Sequence, residues 1–213
     1  MKKKLALIAI ILMVVFSFAG LLTLLGDDMV NLTSLTLLVG IVFYFITREQ
    51  EEKAAMSLKA IPKILKDWKM DLLILMPLIM DAICYGLAKL ILPEFLEHLS
   101  NRIDFLSFDQ ILILIAELFI AAFGEEIAWR GFFLNKVSKS IPFVPALLIT
   151  AALFSLCHFT VDSPVIVIYD LFFIVVNAVF YGLIFKKTNN IIVSTMSHLL
   201  ANAFGVFGLF LVL

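Results

Sequence analysis

Residues 111–131 read ILILIAELFIAAFGEEIAWRG, an apolar run of helix length that ends in two glutamates and an arginine. A run of about 20 apolar residues is what a helix needs to cross a bilayer. Ionisable side chains at that depth cost a few kcal/mol, so they indicate a functional site. Glu125, Glu126 and Arg130 are therefore the first candidates for such a site.

The rest of the chain has the composition of a membrane protein. Hydrophobic residues make up 63% of the 213 residues and the mean hydropathy is +1.11, whereas globular proteins have about 45–50% apolar residues. We predict an all-α, polytopic transmembrane helix bundle that forms a single membrane domain over residues 1–213. A net charge of −1, without a basic patch interleaved with aromatic residues, excludes nucleic acid as an expected partner.

Apolar runs bounded by charges or turn residues predict about seven spans. They lie at residues 5–26, 30–47, 71–92, 109–139, 143–160, 164–185 and 190–213. Lysine and arginine cluster in alternate loops, which places the N-terminus in the cytoplasm by the positive-inside rule. The first run is an alternative candidate for a signal peptide, although it is long enough to span. We expect an integral protein of a bacterial plasma membrane.

Residues 48–70 form a basic segment between the second and third predicted spans. Leu58, Ile61, Leu65 and Trp68 recur at helical spacing, with lysines on or near the other face. This pattern predicts an interfacial helix on the cytoplasmic leaflet, which Pro62 interrupts. The acidic stretch from Glu94 to Asp109 carries no informative pattern.

Two further polar motifs follow the first one along the chain. They are Phe154-x-x-x-His158 and His198-x-x-x-Asn202. Glu125 lies 17 residues before Pro142 and His158 lies 16 after it, so both reach a depth of roughly 20 Å in an antiparallel helical pair. The three motifs are therefore expected to converge on one pocket.

The spacing separates the two glutamates. Glu126 and Arg130 are four residues apart on one helical face and are expected to form an ion pair, whereas Glu125 lies about 100° away and is free to act as a base. His198 and Asn202 are also four residues apart. They would present two hydrogen-bond donors in a row, as an oxyanion hole requires.

Structural interpretations of the same residues remain open. Glu126 and Arg130 alone would make a buried ion pair, and the histidines alone would be hydrogen-bonded core residues or interhelical contacts. The remaining intramembrane polar residues are Asp81, Glu117, Asp170 and Asn177. Asp170 and Asn177 lie seven residues apart on one helical face and are assigned a structural role, in which they pair with each other, with a place in the same cavity as the alternative. Cys84 and Cys157 fall inside apolar runs and are expected to be free, buried residues.

The order and spacing of the three motifs resemble the CPBP family of intramembrane proteases, also called Abi, which includes CAAX prenyl endopeptidases and bacteriocin-related proteins. The resemblance covers residues 109–208, the expected catalytic core. It implies that Glu125 is the base for the attacking water, assisted by His158, that His198 and Asn202 stabilise the oxyanion, and that Glu126 and Arg130 support the site. Trp129 departs mildly from the family pattern, where phenylalanine is common.

The resemblance leaves the role of metal open. Glu125, His158 and His198 would make a three-ligand zinc site with an open water position. Catalysis without a tightly bound cofactor is the preferred interpretation, because a carboxylate and imidazoles suffice to activate water.

We expect an endopeptidase that hydrolyses a membrane-associated peptide or protein, in peptide maturation or bacteriocin-related self-immunity. The alternatives are an immunity protein that acts by binding and a proton-coupled carrier. The carrier is disfavoured because no pair of Gly/Pro-broken helices recurs in two matching halves. The sequence does not define an oligomeric state or a preference for prenylated substrates.

Overall fold

The computed structural model describes residues 1–25, 33–103 and 110–212, and these residues form helices without any strand. The helices are α1 Lys2–Ser17, α2 Thr33–Thr47, α3 Ile61–Ile64, α4 Trp68–Ile91, α5 Glu94–Ile103, α6 Ile111–Glu125, α7 Asn135–Val137, α8 Phe143–Leu156, α9 Pro164–Thr188 and α10 Ile191–Val212. A π-helical segment, Glu126–Leu134, joins α6 to α7. The predicted all-α bundle is therefore confirmed.

The span count differs from the prediction. Over the residues that the structure describes, four helical stretches are long and apolar enough to cross a membrane: Lys2–Leu22, Trp68–Ile91, Pro164–Thr188 and Ile191–Leu209. The apolar helices α2 and α8 are shorter, at 15 and 14 residues. Seven full spans are thus not established, since α2 and α8 fall below the roughly 17 residues that a spanning helix needs.

The π-helical segment lies at the centre of the bundle, with all nine of its residues buried. The helix α2 packs against it so closely that a Cβ atom added to Gly40 would lie 2.8 Å from the Cα of Ala128. Phe132 and Phe133 are 0% and 1% exposed. Packing on every side therefore holds this irregular segment in place.

A tight turn sets the position of α10 relative to α9. Asn189 has a left-handed backbone conformation with φ of 47°, which ends α9. The side-chain oxygen of Asn190 then accepts hydrogen bonds from the backbone N–H groups of Ile192 and Val193. These contacts satisfy N–H groups that a helix start otherwise leaves unpaired. The following residues of α10 thereby gain a fixed direction into the bundle.

The segment 48–70 does not form the continuous interfacial helix that its sequence predicted. It consists of short 3₁₀ turns and the four-residue helix α3, and Trp68 belongs to α4. The apolar residues keep a helical spacing as far as Trp68. Asp67, however, accepts a hydrogen bond from the backbone N–H of Lys69, and this cap starts a new helix there.

Glu52 connects the segment 48–70 to the end of the bundle through ion pairs. It is 7% exposed and forms ion pairs with Lys136 at 2.8 Å and Lys139 at 2.9 Å. Burial opposes ionisation of Glu52, but the hydrogen bonds from these two lysines outweigh that effect and lower its pKa. These ion pairs therefore connect the segment 48–70 to the residues at the end of α7 and just after it.

The acidic stretch from Glu94, to which no structure was assigned from the sequence, begins with a helix. Residues 94–103 form α5, whose Phe95, Leu96 and Leu99 are buried. His98 pairs with Asp162 at 2.7 Å, which connects α5 to the loop between α8 and α9. The backbone N–H of Ser163 and the imidazole of His98 lower the pKa of Asp162. Residues 104–109, the rest of the predicted loop, lie outside the described residues.

Candidate active site

The three polar motifs come together in the bundle. Glu125 is the last residue of α6, His158 lies in the turn just after α8, and His198 lies in α10. His198 Nε2 lies 3.6 Å from one carboxylate oxygen of Glu125, and His158 Nε2 lies 4.0 Å from the other. The structure thus places these three side chains around one point, as the matched depths along the helices predicted.

Each imidazole is oriented by its other nitrogen. His158 Nδ1 lies 2.9 Å from the carbonyl oxygen of Phe154, which only accepts, so Nδ1 carries a proton and donates it. His198 Nδ1 lies 3.0 Å from Oε1 of Glu126 and likewise donates to the carboxylate. In the neutral form of each ring, Nε2 is therefore an acceptor that faces Glu125.

Glu125 and the two Nε2 atoms thus form a group of three acceptors. Two acceptors cannot form a hydrogen bond with each other, and the distances of 3.6 and 4.0 Å from the Glu125 oxygens to the Nε2 atoms also exceed hydrogen-bonding range. A water molecule between them would donate to the carboxylate and to an imidazole. The geometry suits a carboxylate that takes a proton from water.

A buried ion pair supports this group. Glu126 is 0% and Arg130 1% exposed, and their side chains meet at 2.9 Å. The ion pair predicted from their spacing is therefore confirmed. The same Glu126 oxygen contacts His198, a link that the sequence did not reveal because 72 residues separate the two.

Arg130 is further fixed by three neighbours. Its Nη2 donates to the carbonyl oxygen of Ala178 at 3.2 Å, and its guanidinium lies 4.7 Å from the centre of the Phe154 ring and 5.1 Å from that of Tyr181. Tyr181 also stacks on His198, with ring centroids 4.3 Å apart. Phe154 and Tyr181 therefore position both the arginine and the histidine. Phe154, assigned to packing from its sequence context, has this additional contact role.

A cavity of about 400 Å³ opens beside Glu125. His158, His198 and Asn202 line it, so the second member of the predicted oxyanion pair faces the same space. The helix α5 contributes Phe95 and Leu99 to its wall. The cavity is the space in which a substrate segment would meet the glutamate.

The other intramembrane polar residues also line this cavity: Asp81, Glu117, Asp170 and Asn177. Asn177 donates to Asp81 at 2.6 Å, and Asp170 lies 3.9 Å from His98 Nε2. Asp170 and Asn177 were expected to pair with each other or to line the cavity, and the structure supports the second alternative.

The three acceptors have the chemistry of a zinc site. Within residues 1–25, 33–103 and 110–212, however, no group of three or more histidine, cysteine or carboxylate side chains is close enough to hold one ion. Zinc binding by Glu125, His158 and His198 therefore stays a prediction that needs measurement. Neither Cys84 nor Cys157 forms a disulfide within the described part of the chain, as expected, and Cys84 is buried whereas Cys157 is partly buried.

Comparison with known proteins agrees with the motifs. Residues 107–204 match the family model of type II CAAX prenyl endopeptidase Rce1-like proteins. Comparisons with curated proteins and with solved structures gave no match. This part of the chain contains all three motifs, so the resemblance to CAAX-protease-like proteins inferred from the motifs is confirmed over residues 107–204.

Proposed function

We propose that this protein is an intramembrane endopeptidase in which Glu125 activates the attacking water. The observation that carries the proposal is the Glu125 carboxylate flanked by two oriented imidazoles at the wall of a cavity. The family match supports a membrane peptidase, and the geometry around Glu125 supports the role proposed for it.

The reaction begins with water held between Glu125 and the imidazole of His158. Glu125 takes one proton while the water oxygen attacks the carbonyl carbon of the scissile peptide, forming a tetrahedral intermediate. The proton then passes from Glu125 to the leaving nitrogen as the C–N bond breaks. One water is consumed, and the products are a carboxylic acid and an amine, which then exchange a proton to become a carboxylate and an ammonium group.

The intermediate's oxyanion is stabilised from α10. Asn202 offers its amide N–H, and His198 offers Nε2–H when its ring is doubly protonated. The Glu126 carboxylate lies 3.0 Å from Nδ1 of His198 and fixes the orientation of that ring. Arg130 pairs with the same Glu126 oxygen at 2.9 Å and so holds Glu126 in place.

The substrate is a membrane-associated peptide or protein. Its class includes peptide precursors and bacteriocin-related leaders, with prenylated peptides as one option to be assayed. The immunity role without catalysis is the alternative that the same experiment excludes or supports. Localisation in a bacterial plasma membrane with a cytoplasmic N-terminus remains part of the proposal.

Glu125→Gln tests the proposal. The change removes the base and nearly preserves shape, so we expect peptide cleavage by purified protein in liposomes to fall by about 10²–10⁴-fold. Glu97→Gln, an exposed carboxylate on α5, is the matched control and should keep its rate. The assay uses a labelled peptide library with and without prenylation.

Thermal melting of both variants checks that folding is intact. Full cleavage by Glu125→Gln would refute the base assignment. Absence of cleavage by the wild type, together with an immunity phenotype that survives Glu125→Gln in cells, would favour the binding alternative.

A further inference from the structure

A second cavity, of about 410 Å³, lies at the end of the bundle where α1 begins and α7 ends. It shares no lining residue with the active-site cavity. Four lysines line it: Lys2, Lys3, Lys136 and Lys139. Neither the catalytic mechanism nor the family motifs use any of them.

The charge around this cavity is predominantly positive. Glu49 is the carboxylate in its lining, and Glu52 lies beneath, paired with Lys136 and Lys139. Lys136 has all its donors committed, to both oxygens of Glu52 and to a backbone carbonyl. The lysines of α1 are less engaged: one bond from Lys2 reaches the carbonyl of Arg48, and Lys3 makes no hydrogen bond within the described part of the chain.

The free donors of Lys2 and Lys3 are therefore available to an anion. Both residues are exposed, and α1 presents them side by side at one rim of the cavity. Lys139, at 47% side-chain exposure, lies at another part of the lining, where its ammonium donates to Glu49 at 3.1 Å and to Glu52 at 2.9 Å and keeps one further donor. Ammonium groups from two directions suit a phosphate with several acceptor oxygens.

One side of the cavity wall is apolar. Ala6, Leu7 and Ile10 of α1 line it. Leu7 is 57% exposed and Ile11, one turn further, is 53% exposed, so the apolar wall runs on along the outside of α1. In a membrane-spanning helix that surface faces acyl chains.

We propose that this cavity binds an anionic phospholipid, with the phosphate between the lysines and an acyl chain along α1. The ligand matches both halves of the site, since a free phosphate would use the lysines but leave the apolar wall uncovered. Basic pockets beside membrane helices recognise lipid headgroups in this way. The inference does not depend on the proposed peptidase activity.

Native mass spectrometry of protein released from nanodiscs tests the proposal. The nanodiscs contain equimolar phosphatidylglycerol and phosphatidylcholine, which differ in headgroup charge. We expect wild-type protein to retain phosphatidylglycerol selectively. Two lysines near the surface contribute to anionic-lipid affinity, so Lys2→Gln/Lys3→Gln should weaken retention by roughly 30-fold.

Two further variants keep the test decisive. Lys63→Gln/Lys66→Gln removes the same charge from exposed positions outside the cavity and should retain lipid like the wild type. Ser140→Glu places a negative charge in the cavity lining at an exposed position and should also weaken retention. It reports on the site if the α1 variant fails to insert.

A separate arm adds inorganic phosphate and glycerol phosphate to compete with the lipid. Loss of selectivity in both cavity variants, with the control unchanged and the soluble phosphates ineffective, supports a lipid site. Equal retention of the two lipids by the wild type, or full retention by both cavity variants, overturns it. Displacement by glycerol phosphate at comparable concentration assigns the lysines to free phosphate and also overturns the lipid proposal.

Discussion

Replacing Arg130 by methionine is the most informative test of how the site is held together. The substitution keeps much of the side-chain volume but leaves Glu126 as a carboxylate at 0% exposure without its cation. The ion pair at 2.9 Å and the hydrogen bond to Ala178 are lost, together with the contacts to two aromatic rings. Removing one partner of a buried ion pair costs about 3–5 kcal/mol.

We expect Arg130→Met to lower the free energy of unfolding by about 4 kcal/mol, because His198 remains as a partial partner for Glu126. For a chain of this length, that corresponds to a fall in melting temperature of roughly 8–16 °C. The measurement is thermal unfolding in detergent, followed by tryptophan fluorescence. Arg48→Met, which removes a partly exposed arginine, is the control and should cost under about 1 kcal/mol.

A double variant separates the buried charge from lost packing. Glu126→Gln/Arg130→Met removes both charges, so it should be about 2 kcal/mol more stable than Arg130→Met alone. A single variant that loses less than about 1 kcal/mol, or a double variant no more stable than the single, would refute the argument that Arg130 acts by neutralising Glu126.

Three other outcomes follow from the structure. Glu52→Gln should lower the free energy of unfolding by about 1–3 kcal/mol at neutral pH. Because the pKa of Glu52 is lowered below 4.5 in the folded protein, the difference between variant and wild type should vanish as the pH falls through that lowered pKa. Chemical unfolding at a series of pH values measures this difference, and a difference that does not change with pH would contradict the prediction. Gly40→Ala should cost about 1–3 kcal/mol and reduce activity, because the added Cβ meets Ala128, whereas Gly86→Ala, with open space around it, should be neutral or stabilising in the same melting assay. Chelator treatment of the purified protein should change peptide cleavage by less than about two-fold, since a carboxylate and imidazoles suffice to activate water; stoichiometric zinc whose removal abolishes cleavage would show a metalloprotease.

The convergence of Glu125 with His158 was predictable because helix rise converts residue counts from a turn into depth. Pro142 marked the turn, and two helices packed side by side leave little freedom at equal depth. The predicted span 143–160 was too long, because α8 ends at Leu156 and His158 lies in the turn that follows it. This difference did not prevent His158 from reaching Glu125. The ion pair of Glu126 and Arg130 was predictable for the same local reason.

Contacts between distant segments were not predictable. Nothing in the spacing of α10 indicates that His198 donates to Glu126, since that contact depends on how two helices rotate about their axes. The ion pair from His98 to Asp162 was not predictable because 64 residues separate its partners, whereas α5 itself was overlooked although Phe95, Leu96 and Leu99 recur at helical spacing. The ion pairs of Glu52 were likewise not predictable, because Lys136 and Lys139 lie more than 80 residues away.

The π-helical segment at the centre of the bundle has a consequence for when the protein becomes active. Such a segment forms poorly in isolation and persists here because neighbouring helices enclose all nine of its residues. A newly inserted chain, whose helices have not yet docked, therefore lacks the geometry that joins Glu125 to its supporting ion pair. Under the proposed function, peptide cleavage would therefore begin only after the neighbouring helices have packed around this segment.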